Sequence, residues 1–134
     1  MHGINATEQE MADLCLTRHG TNWMGLYRGL KKKTAGTAWD VEMLVCSADE
    51  LRRLNPPIIL SVGLPRDAKP DPISQAEFGW TPGVRHSVVL LGFNIDELVD
   101  IAEPTLGVGR ERWTVENLHE FYRGQCARLV RRSR

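Results

Sequence analysis

An excess of charge of either sign is absent from this chain. Seventeen Lys and Arg residues offset seventeen Asp and Glu over 134 residues. No basic field is present for nucleic acid or an anionic membrane surface, nor does the balance suit a polyanionic substrate. Cysteine is scarce. Cys15, Cys46 and Cys126 are an odd number without CxxC or Cys/His spacing, which argues against a disulfide framework and a zinc site and for reduced, buried thiols. No apolar run approaches the roughly 18 residues of a helical membrane span, and the first residues lack the basic and apolar segments of a signal peptide. Repeats and low-complexity tracts are missing too. What is present is 42% hydrophobic residues and four tryptophans, enough for one domain over residues 1–134 with a real core.

Thr7, with Glu10 three residues on, predicts a capped helix that buries Met11, Leu14 and Cys15 and ends at Gly20. Met1 to Ile4 precede it, with Gly3 in the position of a C-cap. The expectation is that an earlier helix lies before residue 1. Thr21 or Asn22 caps a second helix, in which Trp23, Leu26, Tyr27 and Leu30 recur at helical spacing; Lys31 to Lys33 form its solvated last turn. Thr37 to Cys46 alternates as a half-buried strand, Ser47 caps a short helix broken by Asn55-Pro56-Pro57, and Ile58 to Val62 reads as a central strand.

Residues 63–83 hold four of the seven prolines and read as a long loop, either part of a substrate groove or a surface excursion. Trp80 within it would wall a peptide cleft or cover a sheet edge. Thr105 to Arg112 reads as a Gly-rich turn, Thr114 caps a helix through Leu118 and Phe121, and Cys126 to Val130 is a last strand. Arg128, Arg131, Arg132 and Arg134 form a solvated tail. Helices first and a mostly antiparallel sheet afterwards make an α+β layout.

Val84 to Pro104 is the chemically informative stretch. Two apolar strands flank Asn94–Asp96, with a histidine at one outer end and a glutamate at the other. A four-residue loop over Phe93–Asp96 would set Leu90 opposite Val99, Val88 opposite Ile101 and His86 opposite Glu103. A carboxylate there accepts the imidazole proton and fixes the tautomer, as the acid of a catalytic triad does. Taken alone, the same pair is equally an ion pair at a sheet edge. Asp100 falls on the other face in this register, and His2, His19 and His119 have no acidic partner as well placed. Among the thiols, Cys15 belongs to a helix's apolar face and Cys126 to a buried strand. Cys46, at a strand end, is the least unsuitable nucleophile.

The succession GINATEQEMADL, GTNWMGLYRGL, PPIIL, HSVVLLGF, VDIAEP and WTVENLHEFYRG resembles the bacteriocin-processing, double-glycine-leader peptidases, a papain-like cysteine peptidase family. The resemblance covers about Gly3 to Val130. It implies a papain-like fold lacking its first helix, with His86 as general base and Glu103, where the family usually has aspartate, as the residue that orients it. It implies a peptide substrate, no cofactor and, in some members, an attached transporter. The family's catalytic cysteine and oxyanion-hole glutamine would fall upstream of residue 1, so the isolated chain is expected to be an inactive cysteine peptidase domain. A non-catalytic peptide-binding domain and a small structural or regulatory domain are the alternatives, and the compartment is unspecified.

Overall fold

The computed structural model describes residues 2–17, 21–69, 81–104 and 107–133. The chain divides into two compact units, Met1–Met43 with Ala127–Arg134, and Leu44–Cys126. Helices α1 (Glu8–Cys15) and α2 (Trp23–Thr34) are followed by strands β1 (Trp39–Val45), β2 (Ile58–Val62), β3 (His86–Phe93), β4 (Val99–Glu103) and β5 (Gly109–Trp113), then helix α3 (Val115–Phe121) and β6 (Tyr122–Arg131). Strand order in the sheet is β1-β6-β2-β3-β4-β5, and the β2–β3, β3–β4 and β4–β5 pairs are antiparallel.

In the first unit, Thr7 accepts the Glu10 amide proton and opens α1 as expected. The helix ends early, because Leu16 turns left-handed at φ 57° and closes it after Cys15. Gly20, the expected terminator, and His19 lie outside the described residues. Asn22 caps α2 by accepting from Gly25 at 2.7 Å.

Two glycines on α2 let α1 approach closely. A Cβ on Gly29 would sit 2.2 Å from Cys15 Sγ, and one on Gly25 would sit 2.5 Å from the Cys15 carbonyl oxygen. Cys15 is therefore a packing residue, and burial pushes its thiol pKa up. The lysine run is not merely solvated. Lys31 pairs with Asp40 at 2.5 Å and Lys33 with Glu10 at 2.6 Å.

The Arg-rich end is no frayed tail either. Arg128 pairs with Glu42 at 2.5 Å, Arg132 donates to the Trp39 carbonyl at 2.9 Å, and the Arg131 guanidinium stacks 5.5 Å from the Trp39 ring. His2 meets the same indole edge-on at 4.2 Å, so it too is packed. Arg134 lies outside the described residues.

The second unit carries the main core. Ile58, Leu60, Leu90, Val99 and Ile101 are fully buried, with Leu51, Leu118 and Trp113 packed in the same cluster. Each such side chain contributes roughly 1.5–3 kcal/mol of transfer free energy. The expected short helix after Ser47 is a single 3-10 turn, Glu50–Arg53, cut short by Asn55-Pro56-Pro57. Ser47 and Glu50 cap it reciprocally, through Ser47 N to Glu50 Oε2 at 2.7 Å and Glu50 N to Ser47 Oγ at 3.3 Å.

The largest departure is β5, Gly109–Trp113, where a turn was expected. Its charged residues Arg110, Glu111 and Arg112 hide the strand signal, yet it pairs residue by residue with β4 and drives Trp113 into the core. It is an edge strand, where charged side chains are at home. Thr114 and Asn117 then form a capping box at the start of α3, and β6 begins at Tyr122, four residues before the expected start.

Candidate active site

The hairpin of β3 and β4 departs from the expected pairing and still joins its two polar ends. Its loop is Asn94–Leu98, one residue longer than expected. Asn94 Oδ1 accepts from the amides of Asp96 and Leu98 at 3.0 Å each, and Glu97 takes a left-handed φ of 58°. Nearest the loop, Phe93 faces Val99 and Gly92 faces Asp100; farther out, Leu90 faces Ile101 and Val89 faces Ala102. Leu91 is the extra residue of a β-bulge.

Continuing the outer register sets Glu103 opposite Val88, two residues from His86. The pair is thus diagonal and not directly opposed. Diagonal neighbours are roughly 7–8 Å apart, a span suited to the length of a glutamate. His86 Nε2 and Glu103 Oε1 are 2.6 Å apart.

The bulge is what makes this meeting possible. Without it, the loop-side pairing would continue and set Glu103 opposite Val89, an odd number of residues from His86 and on the other face of the sheet. One extra residue on β3 restores the parity. Val88, Leu90, Ile101 and Glu103 then all point inward, and beyond the bulge Phe93 takes over the inward direction against the same core. Gly92 was the available sequence signal, because an isolated glycine inside a strand often marks a bulge.

Burial separates the roles of the two partners. The Glu103 side chain is 4% exposed and the His86 side chain 32%. A carboxylate taken out of water is costly unless paired, so the imidazole contact stabilises it where it stands. A carboxylate only accepts, so the hydrogen on the shared edge belongs to Nε2. In the neutral ring this leaves the lone pair on Nδ1, the arrangement of a base whose other nitrogen is held by an acid.

His86 itself is positioned from β2, where Val62 is its partner. The next residue, Gly63, approaches the chain entering β3 so closely that a Cβ would lie 2.5 Å from the Val84 carbonyl oxygen. Gly63 also donates to Phe121 O at 2.9 Å, and its own carbonyl accepts from Arg123 Nε at 2.7 Å. Nothing in the sequence marked Gly63 or Arg123 as supports of the histidine. The ends of the long loop are tied by Gly83 N to Leu64 O at 2.9 Å; its middle, with Trp80, lies outside the described residues.

The competing candidates have other partners. Asp100 faces Arg112 across β4 and β5 at 3.3 Å. His119 pairs with Asp49 at 3.2 Å, with the His119 side chain about half exposed and Asp49 mostly so, where an ion pair is worth little. Cys46 Sγ lies 3.5 Å from Tyr122 Oη and 3.8 Å from Cys126 Sγ. Within the first unit, Trp23, Met24, Tyr27, Val41, Glu42 and Met43 line an open, mostly apolar groove of about 480 Å³ that sequence reasoning did not assemble. Among the described residues there is no cluster of three or more metal-ligating side chains, and no helix is long and apolar enough to cross a membrane.

No protein-family model matches the chain, and no curated protein matches it by sequence. Solved structures do. The peptidase domain of Streptococcus ComA, a bi-functional ABC transporter involved in a quorum-sensing pathway, superposes with a TM-score of 0.72 at 19% identity over 97% of this chain and 82% of its own. A double-glycine-motif protease from an AMS/PCAT transporter, solved in complex with the leader peptide, gives 0.64 at 17% identity over 93% and 71%. The N-terminal peptidase C39-like domain of a toxin-secretion ATP-binding protein from Vibrio parahaemolyticus gives 0.65 at 14% identity over 97% and 86%. The chain therefore has the α+β, papain-like fold of C39-type peptidase domains.

Proposed function

We propose that this chain carries the base-and-orienter half of a thiol peptidase site acting on peptide leaders. The observation that supports it best is the buried Glu103 carboxylate on His86 Nε2 at 2.6 Å, which reserves Nδ1 for a proton. In this reading a thiol gives its proton to Nδ1, and the thiolate attacks the scissile carbonyl. The imidazolium, stabilised by Glu103, then protonates the leaving amine, and water hydrolyses the thioester. Cys15 packs on α2, and Cys46 and Cys126 lie sulfur to sulfur beside Tyr122, so this reading assigns the nucleophile to none of the three and takes it as supplied from outside this sequence. The similar structures are domains of ABC transporters, and a peptide-exporting transporter is the partner proposed for this domain.

A second reading, peptide binding without cleavage, is favoured by the apolar groove of Trp23, Tyr27 and Met43. One assay separates the two. A double-glycine-leader peptide is offered to the protein that includes the nucleophile, and cleavage is expected to be thiol-dependent and to fall by roughly 10²–10⁴-fold in His86→Ala and Glu103→Gln. Binding with no turnover in that protein supports the second reading. Thiol-dependent cleavage by the 134-residue chain alone, lost in Cys46→Ala, would overturn the assignment of the nucleophile.

A further inference from the structure

Two of the three cysteines lie together, away from any role assigned above. β1 and β6 are neighbours in the sheet, and the Cys46 amide, just past the end of β1, donates to the Gly124 carbonyl at 3.1 Å. Cys126 lies two residues beyond Gly124 on β6, so the two side chains meet diagonally, with their sulfurs 3.8 Å apart. A disulfide requires about 2.05 Å, so roughly 1.8 Å of closure, shared between two side-chain rotations, separates the thiols from a bond.

Their environments are unequal in a useful way. Cys46 is half-buried and Cys126 fully buried, so a small oxidant reaches Cys46 first. Tyr122 Oη stands 3.5 Å from Cys46 Sγ. Burial above all, then the two thiols, pushes the phenol's ionisation far above its ordinary range, so it keeps its proton beside the sulfur. Cys15 shares none of this, being packed against Gly29.

We propose that Cys46 and Cys126 are a redox-responsive pair, in which Cys46 is oxidised by a hydroperoxide and Cys126 resolves it to an intramolecular disulfide. The Cys46 thiolate attacks the outer peroxide oxygen and the O–O bond breaks. This leaves Cys46–SOH and, with a proton, water or an alcohol. The Cys126 sulfur then attacks the Cys46 sulfur, the S–O bond breaks, and the hydroxide takes the Cys126 proton and leaves as water. Two electrons pass from the two thiols to one peroxide. The new bond closes a loop between residues 80 apart in sequence and staples the end of β1 to β6. Neither His86 nor Glu103 takes part.

The test uses the full chain, reduced and then exposed to a slight excess of hydrogen peroxide. Titratable thiols should fall from three to one, and the peptide map should show Cys46 joined to Cys126, lighter by two hydrogens. The melting temperature should rise by roughly 5–15 °C and return on reduction. In Cys126→Ser, Cys46 should instead be trapped as a sulfenic acid by dimedone; Cys15→Ala should behave as the unmodified chain. If Cys126→Ser does not fold, the map of the unmodified chain decides by itself. Three thiols surviving the oxidant would overturn the proposal. So would links through Cys15 or between chains, or Cys46 passing to sulfinic acid uncrosslinked.

Discussion

Gly63 and the Val84 carbonyl approach so closely that no side chain fits between them: a Cβ on Gly63 would lie 2.5 Å from Val84 O. Val84 is two residues from His86, and Val62, the residue before Gly63, is the strand partner of His86. Gly63→Ala should therefore push the start of β3 off β2. The expected cost is roughly 1–3 kcal/mol in urea unfolding, because backbone and not a pliable side chain must yield. The His86 ring resonances should shift in the same variant. A Gly63→Ala protein as stable as the parent, with His86 unmoved, would show that this contact does not set the histidine.

Cys15 and Gly29 make a second test of close approach. Gly29→Ala places a methyl group 2.2 Å from Cys15 Sγ and should destabilise by roughly 1–3 kcal/mol. Removing the sulfur as well, in Gly29→Ala with Cys15→Ala, should recover part of that loss. A double-mutant cycle from denaturant midpoints should thus be clearly non-additive, and strict additivity would contradict the packing described.

The tautomer of His86 is open to nitrogen NMR. With Nε2 on a carboxylate, the neutral ring should carry its hydrogen on Nε2 and show an unprotonated Nδ1. Glu103→Ala should relax this preference, whereas replacing the exposed partner Asp49 should leave it intact. A predominant Nδ1–H form in the parent would remove the basis for His86 as a base at that nitrogen.

Acid stability of the helical unit should follow two carboxylates. A hydrogen bond from Lys33 chiefly holds Glu10 below its ordinary 4.5, and one from Lys31 chiefly holds Asp40 below its ordinary 3.8. Groups with lowered folded values contribute stability that is complete above the unfolded values and lost as pH falls through the folded ones. Unfolding should thus ease progressively below about pH 4.5. Lys33→Ala and Lys31→Ala should each flatten that slope, and because both pairs are partly open to solvent, added salt should flatten it too. Hydrogen exchange in α1 and α2 as a function of pH would record the effect.

Much of this was legible in the sequence, for local reasons. Thr7, Asn22 and Thr114 announce helix starts because one side chain and one amide suffice to make a cap. Ile58–Val62 announces a central strand by being apolar on both faces. β5 was not legible, because GRERW shows its strand character only when β4 offers it a ladder. The α1–α2 approach was present in Gly25 and Gly29, but glycine spacing on a helix means nothing until a second helix lies on it. His86 and Glu103 were legible as candidates from their places at the outer ends of two apolar strands. The way they meet was not, because an expected four-residue loop and a flat ladder compensate for a five-residue loop and a bulge.

That compensation imposes an arithmetic rule on inheritance. The two side chains share a face because the outer register sets Glu103 opposite Val88, two residues from His86. A lineage that gains or loses one residue within the paired segments turns one partner to the far side of the sheet, even with every chemical group retained, unless a bulge is gained or lost with it. A change within the Asn94–Leu98 loop leaves the ladder, and so the facing, as it is. In descendants of this chain, the paired segments should drift in even steps, whereas the loop is free to change by one.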